Sequence, residues 1–136
     1  MTINRLDRRL RLYLVADPDQ SGANLSDQVE AALRGGVTAV QLRWKTATDR
    51  QLLGEAKVLV ALCRAHGALF FVNDRVDIAL AAGADGVHLG VDDLPIEAAR
   101  ALGGSSLVIG YSPETDEQAN LAKLHGANYL GVGPGF

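Results

Sequence analysis

The segment LFFVNDRVDIALAAGADGVHLG, residues 69–90, decides how the chain is read. LFFVND (69–74) is an apolar run of strand length that ends in polar residues. Residues 75–82 follow a helical pattern, and Gly83 supplies a stop. GVHLG (86–90) is a second strand. Strand, helix and strand in so short a span form a βαβ unit, whose two strands run parallel.

The same alternation extends outward in both directions. Further strands are expected at LYLVAD (12–17), VTAVQLR (37–43), LVIGYS (107–112) and NYLGVG (128–133). Helices are expected at about 25–35, 49–66, 95–102 and 115–126. In 49–66 the residues Leu52, Leu53, Ala56, Leu59, Val60 and Cys63 repeat at helical spacing. Ser26 and Asp49 suit the N-caps of two of these helices. The strands read as apolar on both faces, as in a parallel sheet covered by helices. Right-handed crossovers then leave two architectures. An open doubly wound sheet fits the length, whereas a (βα)8 barrel needs roughly 200 residues or more. The last residues, NYLGVGPGF, read as a strand and the start of its loop. A buried strand needs cover on both faces, so the expectation is a single, incomplete domain over 1–136, with both architectures still open.

Composition narrows the function. Lys+Arg 13 against Asp+Glu 16 gives a formal charge of -3, so no basic excess points to nucleic acid or an anionic membrane. Apolar runs stop short of the ~18 residues a membrane span needs. The N-terminus lacks the apolar region of a signal peptide, and the one cysteine, Cys63, makes no internal disulfide. The expectation is a soluble, cytoplasmic single domain.

Polar residues gather where strands end. Asp17 closes the first strand; Gln41, Arg43 and Lys45 lie on and after the second. The third ends in Asn73-Asp74-Arg75, the fourth carries His88 and is followed by Asp92 and Asp93, and the fifth ends in Ser112. Parallel strands bring these ends to one face, where parallel α/β folds build their sites. Arg43, Lys45 and Asn73 offer donors to an anion, and a guanidinium with an ammonium suits phosphate. Asp74 and Asp93 offer two hard oxygen ligands, and a few carboxylates plus substrate phosphates is how Mg2+ is held. The set suggests a diphosphate carried as its Mg2+ complex. Plainer readings stand beside this one. Arg43 and Lys45 also fit a solvated loop entry, Asp74 a helix cap, and Ser112 a turn before Pro113. His88 reads as an interior histidine rather than a base, Trp44 as loop packing, and Cys63 as core. The glycines of GVGPGF fit close approach to a ligand, a weak signal alone.

Taken in order, LYLVAD, GVTAVQLRWK, FVNDRVDIALAAGADGVHLGVDD, VIGYS and GANYLGVGPGF resemble the thiamine-phosphate synthase (thiamin phosphate pyrophosphorylase) family from Leu12 to Phe136. The resemblance implies a (βα)8 TIM barrel, of which the chain carries about five βα units and the sixth strand. It implies a Mg2+-dependent transferase that joins 4-amino-2-methyl-5-hydroxymethylpyrimidine diphosphate to a thiazole phosphate. It further implies roles. Gln41, Arg43, Lys45, Asn73 and Ser112 would bind the pyrimidine diphosphate, with Arg43, Lys45 and Ser112 catalytic, and Asp74 and Asp93 would hold Mg2+. The chain departs from the family pattern at Val91, where glutamine is common, and at Ser112-Pro113-Glu114, where a histidine is absent. The family's threonine-rich loop, its lysine and two more strands are expected beyond Phe136. The alternatives are a thiazole tautomerase of the same superfamily, which has little need of paired carboxylates, and a non-catalytic phosphate-binding domain with an open sheet.

Overall fold

The computed structural model describes residues 5–21 and 24–131. In chain order the elements are α1 (Arg5–Arg9), β1 (Tyr13–Ala16), α2 (Pro18–Ser21), α3 (Leu25–Arg34), β2 (Ala39–Leu42), α4 (Asp49–Ala65) and β3 (Leu69–Asn73). There follow α5 (Val76–Ala82), β4 (Gly86–Gly90), α6 (Ile96–Gly103), β5 (Val108–Ser112), α7 (Asp116–His125) and β6 (Tyr129–Leu130). All five strand pairs are parallel, and the sheet order is β1-β2-β3-β4-β5-β6. Each crossover therefore adds its strand on the same side, which excludes the doubly wound alternative, where the order reverses.

The sheet is curled. Tyr13 on β1 and Tyr129 on β6 share a hydroxyl–hydroxyl hydrogen bond of 2.7 Å. Five strand spacings of a flat sheet would hold them about 24 Å apart. Only a sheet bent most of the way round brings both rings to one interior. That interior corrects the expectation that helices cover both faces. The outer face packs Val40, Leu42, Phe70, Val72, Val87, Leu89 and Ile109 against the helices. The inner face is covered by its own curvature, with Ala39, Leu69 and Phe71 buried against Tyr13, Val108 and Tyr129. Leu6 within α1 and Leu10 just after it, one turn apart, pack on the same cluster. The sequence reading placed no element before residue 12, nor the short helix α2.

Two inner positions must lack a side chain. A Cβ on Gly86 would overlap the Val108 carbonyl and come within 2.7 Å of the Phe71 ring. A Cβ on Gly110 would overlap the Tyr129 ring and come within 2.6 Å of His88 Nδ1. Glycine here makes room for aromatic rings from neighbouring strands.

The helix starts differ from expectation by a residue or two. Asn24, not Ser26, caps α3, because its side chain accepts from the Ser26 and Asp27 amides. Thr48, not Asp49, caps α4: its hydroxyl accepts from the Gln51 amide, while Gln51 Oε1 accepts from the Thr48 amide. A capping box satisfies two orphan donors, where Asp49 inside the first turn would satisfy none. Strand β6 is described only as Tyr129–Leu130 against the expected 128–133, and most of the GVGPGF stretch lies outside the described residues. No helix among the described residues is long and apolar enough to cross a membrane.

Candidate functional site

The strand ends enclose a cavity of about 480 Å³, lined by Gln41, Arg43, Lys45, Asn73, Asp93 and Ser112 together with Val15, Asp17, Gln20, His88 and Gly90. Alternation explains the membership. Along each strand every second residue faces inward, so Val15, Gln41, Asn73, His88 and Ser112 share the face that holds Tyr13 and Phe71 lower down. Register supplies the neighbours: Val15 pairs with Gln41, Asn73 with His88, and Gly90 with Ser112.

The floor of the cavity is hydrogen-bonded from strand to strand. Asn73 Nδ2 donates to Gln41 Oε1 at 3.0 Å, and Gln41 Nε2 donates to Tyr13 Oη at 2.9 Å. Tyr13 meets Tyr129 at 2.7 Å, Tyr129 Oη meets His88 Nδ1 at 3.0 Å, and His88 Nε2 meets Ser112 Oγ at 2.6 Å. One residue from each of the six strands takes part. Gln41 and His88 are the two buried polar residues of the described core, and no buried side-chain N or O atom among the described residues lacks a partner. Burial pushes the His88 imidazole down to about 4, against a weaker opposing pull from Asp93. His88 is neutral at ordinary pH, the interior histidine expected, yet it also lines the cavity.

Two carboxyls meet at the rim. Burial, a hydrogen bond to Asp93 and the charge of Asp93 push Asp74 up to about 6, with Lys45 and Arg75 pulling back. Asp74 has φ 69°, the one positive φ outside glycine among the described residues. Its amide donates to the His88 carbonyl at 2.8 Å, and the next amide, Arg75, turns back to the Asn73 carbonyl at 2.7 Å. This tight turn turns Asp74 out of the strand's alternation. The cap reading is thereby corrected: Arg75 occupies the N-cap of α5, with no side-chain cap hydrogen bond. Asp74 instead borders a smaller recess of about 130 Å³, shared with Lys45 and Asn73. Asp93 is set by its own turn, accepting from the Gly90 amide at 2.7 Å.

The cation loop is anchored from β1 and α2. Arg43 Nη1 lies 3.2 Å from Asp17 Oδ2. Asp19 accepts from Trp44 Nε1 at 3.3 Å and from Thr46 Oγ1 at 2.7 Å, which fixes the loop on both sides of Lys45. Trp44 is thus a latch as well as packing.

Six of the seven expected site residues line one cavity, and Asp74 adjoins it through Asp93, Lys45 and Asn73. Chemically the arrangement offers two cations and an amide for an anion, and two neighbouring carboxyls, Asp74 and Asp93, where a divalent cation would fit. Among the described residues no group of three His, Cys, Asp or Glu forms a metal site, so the remaining ligands would be phosphate oxygens and water. Sequence reasoning passed over Val15, Gln20, Tyr13 and Tyr129. Alternation from Asp17 back along LYLVAD would have placed Val15 and Tyr13 inward. Nothing local marks Gln20.

The pattern that defines the thiamine monophosphate synthase family matches residues 12–136. The chain is 53% identical to the thiamine-phosphate synthase of Nostoc punctiforme, over 93% of this chain and 35% of that protein. It is 45% identical to the thiamine-phosphate synthase of Coprothermobacter proteolyticus, over 100% of this chain and 65% of that one. A solved thiamine phosphate pyrophosphorylase from Pyrococcus furiosus superimposes with a TM-score of 0.88 at 44% identity, covering 96% of this chain and 63% of that one. The chain thus spans between about a third and two thirds of the length of these relatives.

Proposed function

Because the chain belongs to the thiamine monophosphate synthase family, we propose that it carries the pyrimidine-diphosphate side of a thiamine-phosphate synthase site. The reaction joins 4-amino-2-methyl-5-hydroxymethylpyrimidine diphosphate to a thiazole phosphate, giving thiamine phosphate and diphosphate. The curled sheet is then the first part of a (βα)8 barrel, with residues 1–136 in one domain. The observation that carries the reading is the meeting of Gln41, Arg43, Lys45, Asn73, Asp93 and Ser112 in one cavity, with Asp74 hydrogen-bonded to Asp93.

In this reading Arg43, Lys45 and Asn73 hold the diphosphate, while Gln41 and Ser112 hold the pyrimidine ring. The methylene C–O bond breaks with its electron pair leaving on the diphosphate, and the electron-rich aminopyrimidine stabilises the cation left behind. The thiazole nitrogen lone pair then forms the new C–N bond. Such a displacement needs no protein nucleophile. It needs positive charge against the leaving group, from Arg43 and Lys45, and substrates held in line. Asp74 and Asp93 would hold Mg2+, which when bound neutralises further diphosphate charge. His88 stays neutral beneath the ring, so no imidazolium opposes the developing cation.

The test is binding of the pyrimidine diphosphate by calorimetry with and without Mg2+, followed by product formation on adding the thiazole phosphate. Arg43→Ala and Lys45→Ala should each slow single-turnover product formation by 100-fold or more, on the scale of lost electrostatic stabilisation. Asp74→Asn and Asp93→Asn should abolish the Mg2+ dependence of binding. Binding that ignores Mg2+, or unchanged chemistry in both cation variants, rejects the reading.

A further inference from the structure

The hydrogen-bonded floor has a direction. Asn73 donates to Gln41, and Gln41 donates to Tyr13. The Tyr13 hydroxyl carries one proton, and its other hydrogen-bonding neighbour among the described residues is Tyr129. Were Tyr129 the donor between them, the Tyr13 proton would face two donors and go unbonded in a buried place, a loss of about 1–3 kcal/mol. Tyr13 therefore donates to Tyr129. The Tyr129 proton then goes to His88 Nδ1, which must be bare to accept it. A neutral imidazole with a bare Nδ1 carries its proton on Nε2, and that proton is given to Ser112 Oγ at 2.6 Å. The Ser112 hydroxyl proton cannot point back along this bond, so it faces the cavity that Ser112 lines.

We infer that the six strands carry a one-way hydrogen-bond relay from Asn73 to Ser112, which fixes His88 as its Nε2–H tautomer and makes Ser112 a donor toward the bound ligand. Tyr13 and Tyr129 touch no reacting atom in this scheme. They are positioning residues that decide, from the far side of the curled sheet, which ligand atom is accepted opposite Ser112. The favoured atom is an unprotonated acceptor, such as a heteroaromatic ring nitrogen. A ligand with an N–H at that point would set donor against donor and be rejected, as sites built around one hydrogen-bond sense reject the other. The identity of the ring rests on the pyrimidine reading above; the direction of the relay does not.

The experiment is nitrogen NMR of the full chain with labelled histidine, assigned with His66→Gln and His125→Gln. In wild type, His88 should show a pyrrole-like Nε2 and a pyridine-like Nδ1. Gln41→Glu at pH 8 replaces the donor to Tyr13 with an acceptor-only carboxylate. Tyr13 should then donate to it, Tyr129 to Tyr13, and His88 should move to the Nδ1–H form three links away. In Gln41→Glu combined with Tyr129→Phe the relay is cut, and that reversal should not be transmitted. A wild-type Nδ1–H form, an even mixture, or no reversal on Gln41→Glu overturns the relay. A purely packing role for the tyrosines would move none of these signals. Should Gln41→Glu not fold, Ser112→Ala decides. It takes Ser112 Oγ away from Nε2 but leaves Tyr129 donating to Nδ1, so the Nε2–H form should persist, and its loss overturns the proposal. In a separate arm, Ser112→Ala should weaken binding of the pyrimidine diphosphate with Mg2+ by about tenfold. Failure of binding in the wild type rejects the functional reading while leaving the tautomer result to judge the relay.

Discussion

At Gly110 a single methyl group has nowhere to go. Its Cβ would overlap the Tyr129 ring and press on His88 Nδ1. Gly110→Ala should therefore destabilise by about 1–3 kcal/mol, the cost of overfilling a packed interior, seen as a lower urea midpoint at unchanged slope. The titratable residues of the site predict a second behaviour. His88 is held down at about 4, whereas an unfolded histidine titrates near 6.5. As pH falls through that window the unfolded chain binds a proton that the folded chain refuses. Stability therefore drops, by on the order of 3 kcal/mol when fully developed. Asp74 has the opposite sign: raised to about 6, it binds its proton in the folded state first, so it adds stability as pH falls. The two oppose each other between pH 6 and 4. Going from pH 7.5 to 5, His88→Asn should lose less stability than wild type, and Asp74→Asn should lose more. Equal pH slopes in urea titrations of all three would refute this account. The residue types of the site were legible in the sequence because strand ends expose their chemistry in order, as Q-L-R-x-K and N-D-R show. The wiring between them was not. Tyr13 and Tyr129 lie 116 positions apart, and no periodicity reveals a contact that depends on how far a sheet bends.

Helix starts carry a lesson of their own. Asp49 looks like the natural cap of α4, yet Thr48 does the capping and Asp49 reaches out to Arg75 at 2.9 Å with its side chain 79% exposed. Thr48→Ala should cost about 1 kcal/mol in thermal or urea unfolding, whereas Asp49→Ala should cost only a few tenths, as exposed pairs do. The sequence placed the helix correctly because Leu52, Ala56, Leu59, Val60 and Cys63 fall on one stripe, all buried. It missed the cap by one residue because Thr and Asp serve equally well in isolation, and only Gln51 folding back decides between them. Asp19 of α2 holds the loop between β2 and α4 at two points, on either side of Lys45. Asp19→Ala removes both the Trp44 and Thr46 hydrogen bonds. It should weaken pyrimidine-diphosphate binding several-fold by loosening Lys45, while changing stability by well under 1 kcal/mol, since these bonds are exposed.

For the molecule as a whole, alternating apolar runs and helical stretches made the parallel α/β class legible, but length favoured an open sheet over a barrel. Strand order and curvature show a six-stranded parallel sheet bent round on itself, and neither is written in local composition. One residue that ties the growing sheet together also escaped notice. Arg100 on α6 donates to the carbonyls of Gly104, Leu107 and Gly126 and to Asn128 Oδ1, which in turn accepts from the Ile109 amide. Arg100→Met should lower stability by about 2 kcal/mol or more, and Arg100→Lys should recover little, because an ammonium cannot replace the planar fork. The Tyr13–Tyr129 bond has a consequence in time. Neighbouring strands join residues some 15 to 30 positions apart, so the ladder can assemble one crossover after another. The tyrosine contact instead closes almost the entire described chain, and the entropy of closing a loop grows with its length. It belongs among the last native contacts to form in refolding. An incompletely folded chain would hold its strands and helices yet have no floor beneath the cavity, so late-appearing tyrosine and histidine signals should report the moment at which the site first exists.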